Sequence, residues 1–184
     1  MKKVTACIIG MVVICLSLLL MPAAGSAADS YMGYMVFKGG YYGPGEDFDK
    51  EDFEGNDYWE LALGTDLGML GLELSGGYMR TENNFIDVKT IPVLLTGRLQ
   101  FPITMFYPYI EAGAGAYFID MDPKGLESKS ETEFGYHTGL GCDVRFKRLI
   151  LGVEGRYIWV NSDYKGMDVD LQGFTVTGNI GFRF

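Results

Sequence analysis

With 24 Asp+Glu against 15 Lys+Arg over 184 residues, the chain is acidic, and this argues against nucleic acid as a partner. Its 26 Gly and its 12 Tyr and 12 Phe, with little helical periodicity, suit short, twisted, closely packed strands with aromatic ends. Only one apolar run is long enough for a helical membrane span, and it lies at the N-terminus.

That run, Val4 to Met21, follows Lys2 and Lys3 and precedes Pro22 and the small residues Ala23-Ala24-Gly25-Ser26-Ala27-Ala28. The layout is that of a secretory signal peptide, residues 1–28, cleaved after Ala27 or Ala28. Cys15 sits within the apolar run, which disfavours lipoprotein processing there. The mature part, residues 29–184, is one domain by length. It carries 13 Lys+Arg and 24 Asp+Glu, and it retains only Cys142, so no intramolecular disulfide is expected.

Eight segments alternate with a period of two: Tyr31–Tyr41, Tyr58–Thr65, Leu70–Arg80, Val88–Leu99, Tyr107–Ile119, Glu133–Phe146, Leu149–Val160 and Gly173–Phe184. The last is the clearest. Phe174, Val176, Ile180, Phe182 and Phe184 share one face, and Thr175, Thr177, Asn179 and Arg183 share the other. About ten residues suffice for a tilted strand to cross a bilayer. Elsewhere the apolar face gathers Leu61, Leu72, Leu95, Ile110, Leu140, Cys142 and Leu151. The opposite face gathers Lys38, Glu60, Glu73, Arg98, Glu111, His137, Asp143, Arg145, Glu154, Arg156 and Arg183. Pro92 lacks a ladder donor and predicts a local bulge.

The connections Tyr42–Asp57, Asp120–Thr132 and Asn161–Gln172 are long and polar, whereas Asp66–Met69 and Lys147–Arg148 are tight. An outer-membrane barrel has short periplasmic turns and longer external loops. A soluble barrel similar to a lipocalin would instead place the apolar face inside. Three features oppose that alternative. The polar face holds one Lys, Lys38. Its charges balance, with Lys38, Arg98, Arg145, Arg156 and Arg183 against Glu60, Glu73, Glu111, Asp143 and Glu154, which suits a confined paired network. Aromatic residues also cluster at strand ends: Tyr41, Trp59, Tyr78, Phe118, Tyr136, Tyr157 and Trp159 at one rim, Phe101, Phe146, Phe182 and Phe184 at the other. The expected fold is therefore all-β, a closed eight-stranded antiparallel up-and-down transmembrane β-barrel.

Lys38-Gly39-Gly40-Tyr41-Tyr42, Pro108-Tyr109-Ile110-Glu111-Ala112-Gly113-Ala114-Gly115 and Gly152-Val153-Glu154-Gly155-Arg156-Tyr157 resemble the small eight-stranded outer-membrane barrels of the OmpA/OmpX type, within the outer-membrane β-barrel domain family. The resemblance implies a Gram-negative outer membrane, contact with its lipid and lipopolysaccharide, and a monomer. It also implies that Ile180, Phe182 and Phe184 are read by the barrel-assembly machinery. It leaves the activity open, because such barrels serve as anchors, adhesins, narrow pores and lipid-modifying enzymes.

His137 is the only histidine, so it alone could serve His-based catalysis. Small outer-membrane lipid A deacylases place a His and a Ser two residues apart. Here the matching position is Gly139, so a Ser/His nucleophile is not supported. Asp47-Phe48-Asp49-Lys50-Glu51-Asp52-Phe53-Glu54 fails the calcium-loop pattern, which needs Gly where Asp52 stands. Together with Thr81–Asp87 at the same end, the three long connections hold 16 Asp+Glu and 4 Lys. No catalytic, metal or cofactor site is assigned. The expected role is structural or surface-interacting, with a lumen plugged by paired charges; a narrow channel for small solutes is the alternative, and a lipid-modifying enzyme is disfavoured.

Overall fold

The computed structural model describes residues 33–44, 57–82, 86–123, 129–160 and 172–184. The expected signal peptide and the acidic Asp47–Glu54 segment lie outside the described residues. Eight strands follow in order: β1 Gly33–Pro44, β2 Asp57–Leu67, β3 Leu70–Glu82, β4 Ile86–Gln100, β5 Phe106–Pro123, β6 Lys129–Phe146, β7 Leu149–Val160 and β8 Gly173–Arg183. Each pairs antiparallel with its sequence neighbour, and β1 pairs with β8, so the sheet closes into a barrel. The closing ladder runs from Tyr34↔Arg183 to Pro44↔Gly173. The expected up-and-down barrel is thus the observed fold. Closure leaves no sheet edge and satisfies the backbone internally, the condition for strands in lipid.

The two faces separate as the alternation requires. Leu61, Leu72, Leu95, Ile110, Leu140, Leu151, Val153, Val176 and Ile180 are exposed on the outer wall. Both expected aromatic groups also point outward, with Trp59, Tyr78, Tyr136 and Trp159 toward the long-connection end and Phe101, Phe146, Phe182 and Phe184 toward the turn end. An exposed apolar wall of this extent requires lipid around it.

Two expectations are corrected. Pro92 makes no bulge. The β3–β4 register is the same at Gly76↔Val93 and at Met79↔Thr90, and only the ladder between them is interrupted. β5 continues to pair across Pro92↔Tyr117. Gly77 lies opposite the proline ring, where an added Cβ would meet Pro92 Cγ at 3.0 Å, so the missing donor is absorbed without a slip. Second, β5 and β6 each reach 18 residues, beyond the expected limits of Ile119 and Glu133. Their ladder extends to Met121↔Lys129, so much of the expected Asp120–Thr132 connection is strand.

Glycine shapes the interior at two telling positions. A Cβ on Gly64 would lie 2.2 Å from Tyr34 Cζ, and one on Gly141 would lie 2.4 Å from Tyr109 Cζ. Each glycine leaves a bay on the inner wall that a tyrosine ring fills from a neighbouring strand. A narrow barrel needs such alternation of small and large residues to fill its interior.

Candidate functional site: the charged lumen

The interior is layered. Toward the long-connection end, Tyr42, Tyr58, Met79, Leu94, Tyr117, Ile119, Ile158 and Val160 form an apolar layer. Tyr34, Val36 and Ile150 form a smaller one toward the turn end. Between them lie the charges, because the same residue parity that turns Leu and Phe to lipid turns Lys, Arg and Glu inward.

Six strands supply one connected network. Lys38 Nζ from β1 lies 3.0 Å from Glu60 Oε1, 2.7 Å from Glu73 Oε1 and 3.0 Å from Glu154 Oε2. Arg98 from β4 reaches Glu73 at 3.1 Å, Glu111 at 3.1 Å and Glu154 at 2.9 Å. Arg156 from β7 reaches Glu60 at 2.9 Å, Glu111 at 2.9 Å and Glu154 at 2.8 Å. Lys38, Glu73, Arg98, Glu111, Arg156 and Glu60 therefore close a cycle of alternating sign, and Glu154 touches all three cations. Three cations face four carboxylates, which leaves one negative charge in excess. Tyrosine hydroxyls donate into it: Tyr34 to Glu73 at 3.3 Å, Tyr109 to Glu154 at 2.9 Å, and Tyr58 to Glu60. The Arg98 guanidinium also lies 4.4 Å from the Tyr109 ring centroid. Every carboxylate is thus met by at least two donors, the condition for keeping it ionised out of bulk water.

A second cluster sits nearer the turn end. Arg145 Nη1 pairs with Asp66 Oδ2 at 2.8 Å, and Nη2 donates to Gln100 Oε1 at 2.7 Å. Gln100 Nε2 in turn donates to Asp66 Oδ1 at 2.8 Å. Asp143 is the weaker partner of Arg145, at 3.6 Å. Arg145 also stacks over Tyr107 at 4.2 Å.

Of the residues expected on the inner face, Lys38, Glu60, Glu73, Arg98, Glu111, His137, Asp143, Arg145, Glu154 and Arg156 are buried there. Arg183 is only half-buried, near the turn-end rim. His137 is 2% exposed, and its Nε2 lies 2.9 Å from Thr96 Oγ1. It faces the lumen, away from lipid, and Gly139 stands beside it on the same face. Cys142 is half-exposed on the outer set, as a small apolar residue would be. Among the described residues, no cluster of His, Cys, Asp and Glu has the arrangement of a metal site. Sequence reasoning missed Tyr34, Tyr58, Tyr109, Asp66 and Gln100. Parity could have found them, since Tyr34 shares that of Lys38, Tyr58 and Asp66 that of Glu60, Tyr109 that of Glu111, and Gln100 that of Arg98.

A closed antiparallel barrel with an apolar outer wall, aromatic rims and buried charged side chains inside defines a transmembrane β-barrel. The model of the outer membrane protein beta-barrel domain family matches residues 11–184, and the chain belongs to that family. Among solved structures, Neisserial surface protein A has the same fold, with a TM-score of 0.63 at 12% identity, covering 84% of this chain and 98% of that one. The N-terminal β-barrel domain of Pseudomonas aeruginosa OprF gives 0.55 at 13% identity, covering 83% and 97%. Ail, the attachment invasion locus protein of Yersinia pestis, gives 0.54 at 18% identity, also covering 83% and 97%. No curated protein matches the sequence significantly. The protein is an outer-membrane β-barrel.

Proposed function

We propose that this barrel is a non-catalytic, non-conducting outer-membrane protein with a structural or surface-interaction role, exported by the signal peptide of residues 1–28 and acting as a monomer among outer-membrane lipid and lipopolysaccharide. One observation carries the reading: the Lys38–Arg98–Arg156 network joins six strands across the lumen. The interior of an eight-stranded barrel is only wide enough for its own side chains. A solute would have to pass the Tyr58–Tyr117–Leu94 layer, the charged cycle and the Arg145–Asp66 pair in turn. Each step breaks contacts that a passing hydrated ion does not replace.

Enzymatic chemistry on lipid has no support in the wall. Its reacting groups would have to face lipid or the external rim, and the sole histidine faces inward. Interaction would then fall to the long-end connections. One Ail structure is a complex with the heparin analogue sucrose octasulfate. The 16 Asp+Glu and 4 Lys of the connections here oppose a polyanion and favour a cationic or neutral partner.

Planar-bilayer recording tests the closed lumen. The wild-type protein is expected to give small or rare events, and Arg98→Ala is expected to give more. Large, steady conductance from the wild type, unchanged in Arg98→Ala, would overturn the reading and make the protein a pore.

A further inference from the structure

The turn end has a charge pattern opposite to that of the long connections. The β6–β7 turn is Lys147-Arg148, and both residues are exposed. The backbone N–H of Arg183 on β8 donates to Arg148 O at 2.8 Å and ties the turn to β8, with the Arg183 side chain half-buried on the inner face. Lys147 Nζ lies 5.8 Å from the Phe146 ring centroid, and Arg148 Cζ lies 5.8 Å from that of Phe182. Phe146 and Phe182 belong to the outward aromatic rim, so the cations sit where that rim meets the headgroups. The only acid in the described turns Asp66–Met69, Phe101–Met105 and Lys147–Arg148 is Asp66, and it is held by Arg145.

Lys147 has φ of 52°, a left-handed conformation that favours Gly, Asn or Asp in a tight hairpin. The β2–β3 turn meets the same need with Gly68, at φ of 75°. The β4–β5 turn meets it with Thr104, at φ of 58°.

We propose that Lys147 and Arg148 form a docking surface for the phosphate of an anionic phospholipid in the periplasmic leaflet. The guanidinium offers paired donors to a phosphate, and the ammonium offers a mobile point charge. Phe146 and Phe182 place their rings against the upper acyl chains of the same lipid. This site rests on the turn end facing the periplasm, and it is independent of whether the lumen conducts.

The test is native mass spectrometry of the full protein in dodecyl maltoside micelles, titrated with phosphatidylglycerol or phosphatidylcholine. The K147N/R148Q variant removes both charges, and Asn tolerates the positive φ, so the turn itself is not weakened. Attraction of each basic side chain to an anionic surface is worth roughly a fivefold change in binding. The double variant is therefore expected to retain phosphatidylglycerol roughly 25-fold less well. Phosphatidylcholine should bind weakly and equally to both proteins, and the unfolding midpoint should not fall. Equal retention of phosphatidylglycerol by wild type and variant would overturn the proposal, as would equal binding of the two lipids by wild type. Displacement of the lipid by an equimolar amount of inorganic phosphate would also overturn it, by assigning the surface to free phosphate.

Discussion

Arg98→Ala removes three ion-pair contacts at once, to Glu154 at 2.9 Å and to Glu73 and Glu111 at 3.1 Å each. Two cations then face four carboxylates, and the excess rises from one negative charge to two. Breaking a buried pair from one side costs about 3–5 kcal/mol, because a charge is left uncompensated. Here no carboxylate is wholly abandoned. Glu73 keeps Lys38 at 2.7 Å, Glu111 keeps Arg156 at 2.9 Å, and Glu154 keeps both. The expected loss is therefore at the low end, about 3 kcal/mol. With a urea dependence of about 1–3 kcal/mol per molar, the midpoint should fall by roughly 1–3 M. Trp59 and Trp159 lie on the outer wall and report transfer from lipid to water, so their fluorescence in vesicles follows the transition. Glu154→Gln in the Arg98→Ala background returns the excess to one negative charge. The double variant should be more stable than the sum of the single losses implies, by about 1 kcal/mol or more, whereas independent sites add within about 0.5 kcal/mol. An additive cycle, or no measurable midpoint shift for Arg98→Ala, would refute the idea that these groups act as one balanced network.

Two further outcomes follow from the wall and the last strand. Gly141→Ala places a Cβ 2.4 Å from Tyr109 Cζ and displaces the ring whose hydroxyl donates to Glu154. Overpacking of this kind costs about 1–3 kcal/mol; equilibrium unfolding measures it, and an unchanged midpoint would show that the ring moves freely. Deleting Phe184, or replacing Phe182 and Phe184 with Ser, should strand the chain in the periplasm, as membrane fractionation would reveal. That expectation rests on Ile180, Phe182 and Phe184 forming the outward row of the closing strand, and normal insertion of the Phe184 deletion would count against an assembly role.

The alternation in β8 and β7 is uninterrupted and has no competing period, so both strands were legible almost to the residue. β5 and β6 were read too short. Their outer ends, around Asp120–Pro123 and Lys129–Thr132, are acidic and polar and resemble loop sequence. They are strand because Lys129–Thr132 pairs with Phe118–Met121, and Asp122 and Pro123 pair with Asp87 and Ile86 of β4; a single sequence does not display that pairing. Pro92 misled for a related reason. A missing N–H predicts a defect, but whether the defect becomes a bulge depends on what stands opposite, and Gly77 leaves room for the ring.

The sequence by itself determined which side of each strand is wet and which meets lipid, because alternation is a property of consecutive residues. It also determined that the interior charges come in near-equal numbers, because an unpaired charge in a confined space is costly. It could not say which charge meets which. Asp143 was counted as a partner of the interior cations, yet Arg145 lies closer to Asp66, a residue of another hairpin. Glu154 meets three cations because β1, β4 and β7 face one another across a closed wall. Only closure, with its register and stagger, sets that geometry, since it brings together side chains more than a hundred residues apart, as in Lys38 and Glu154.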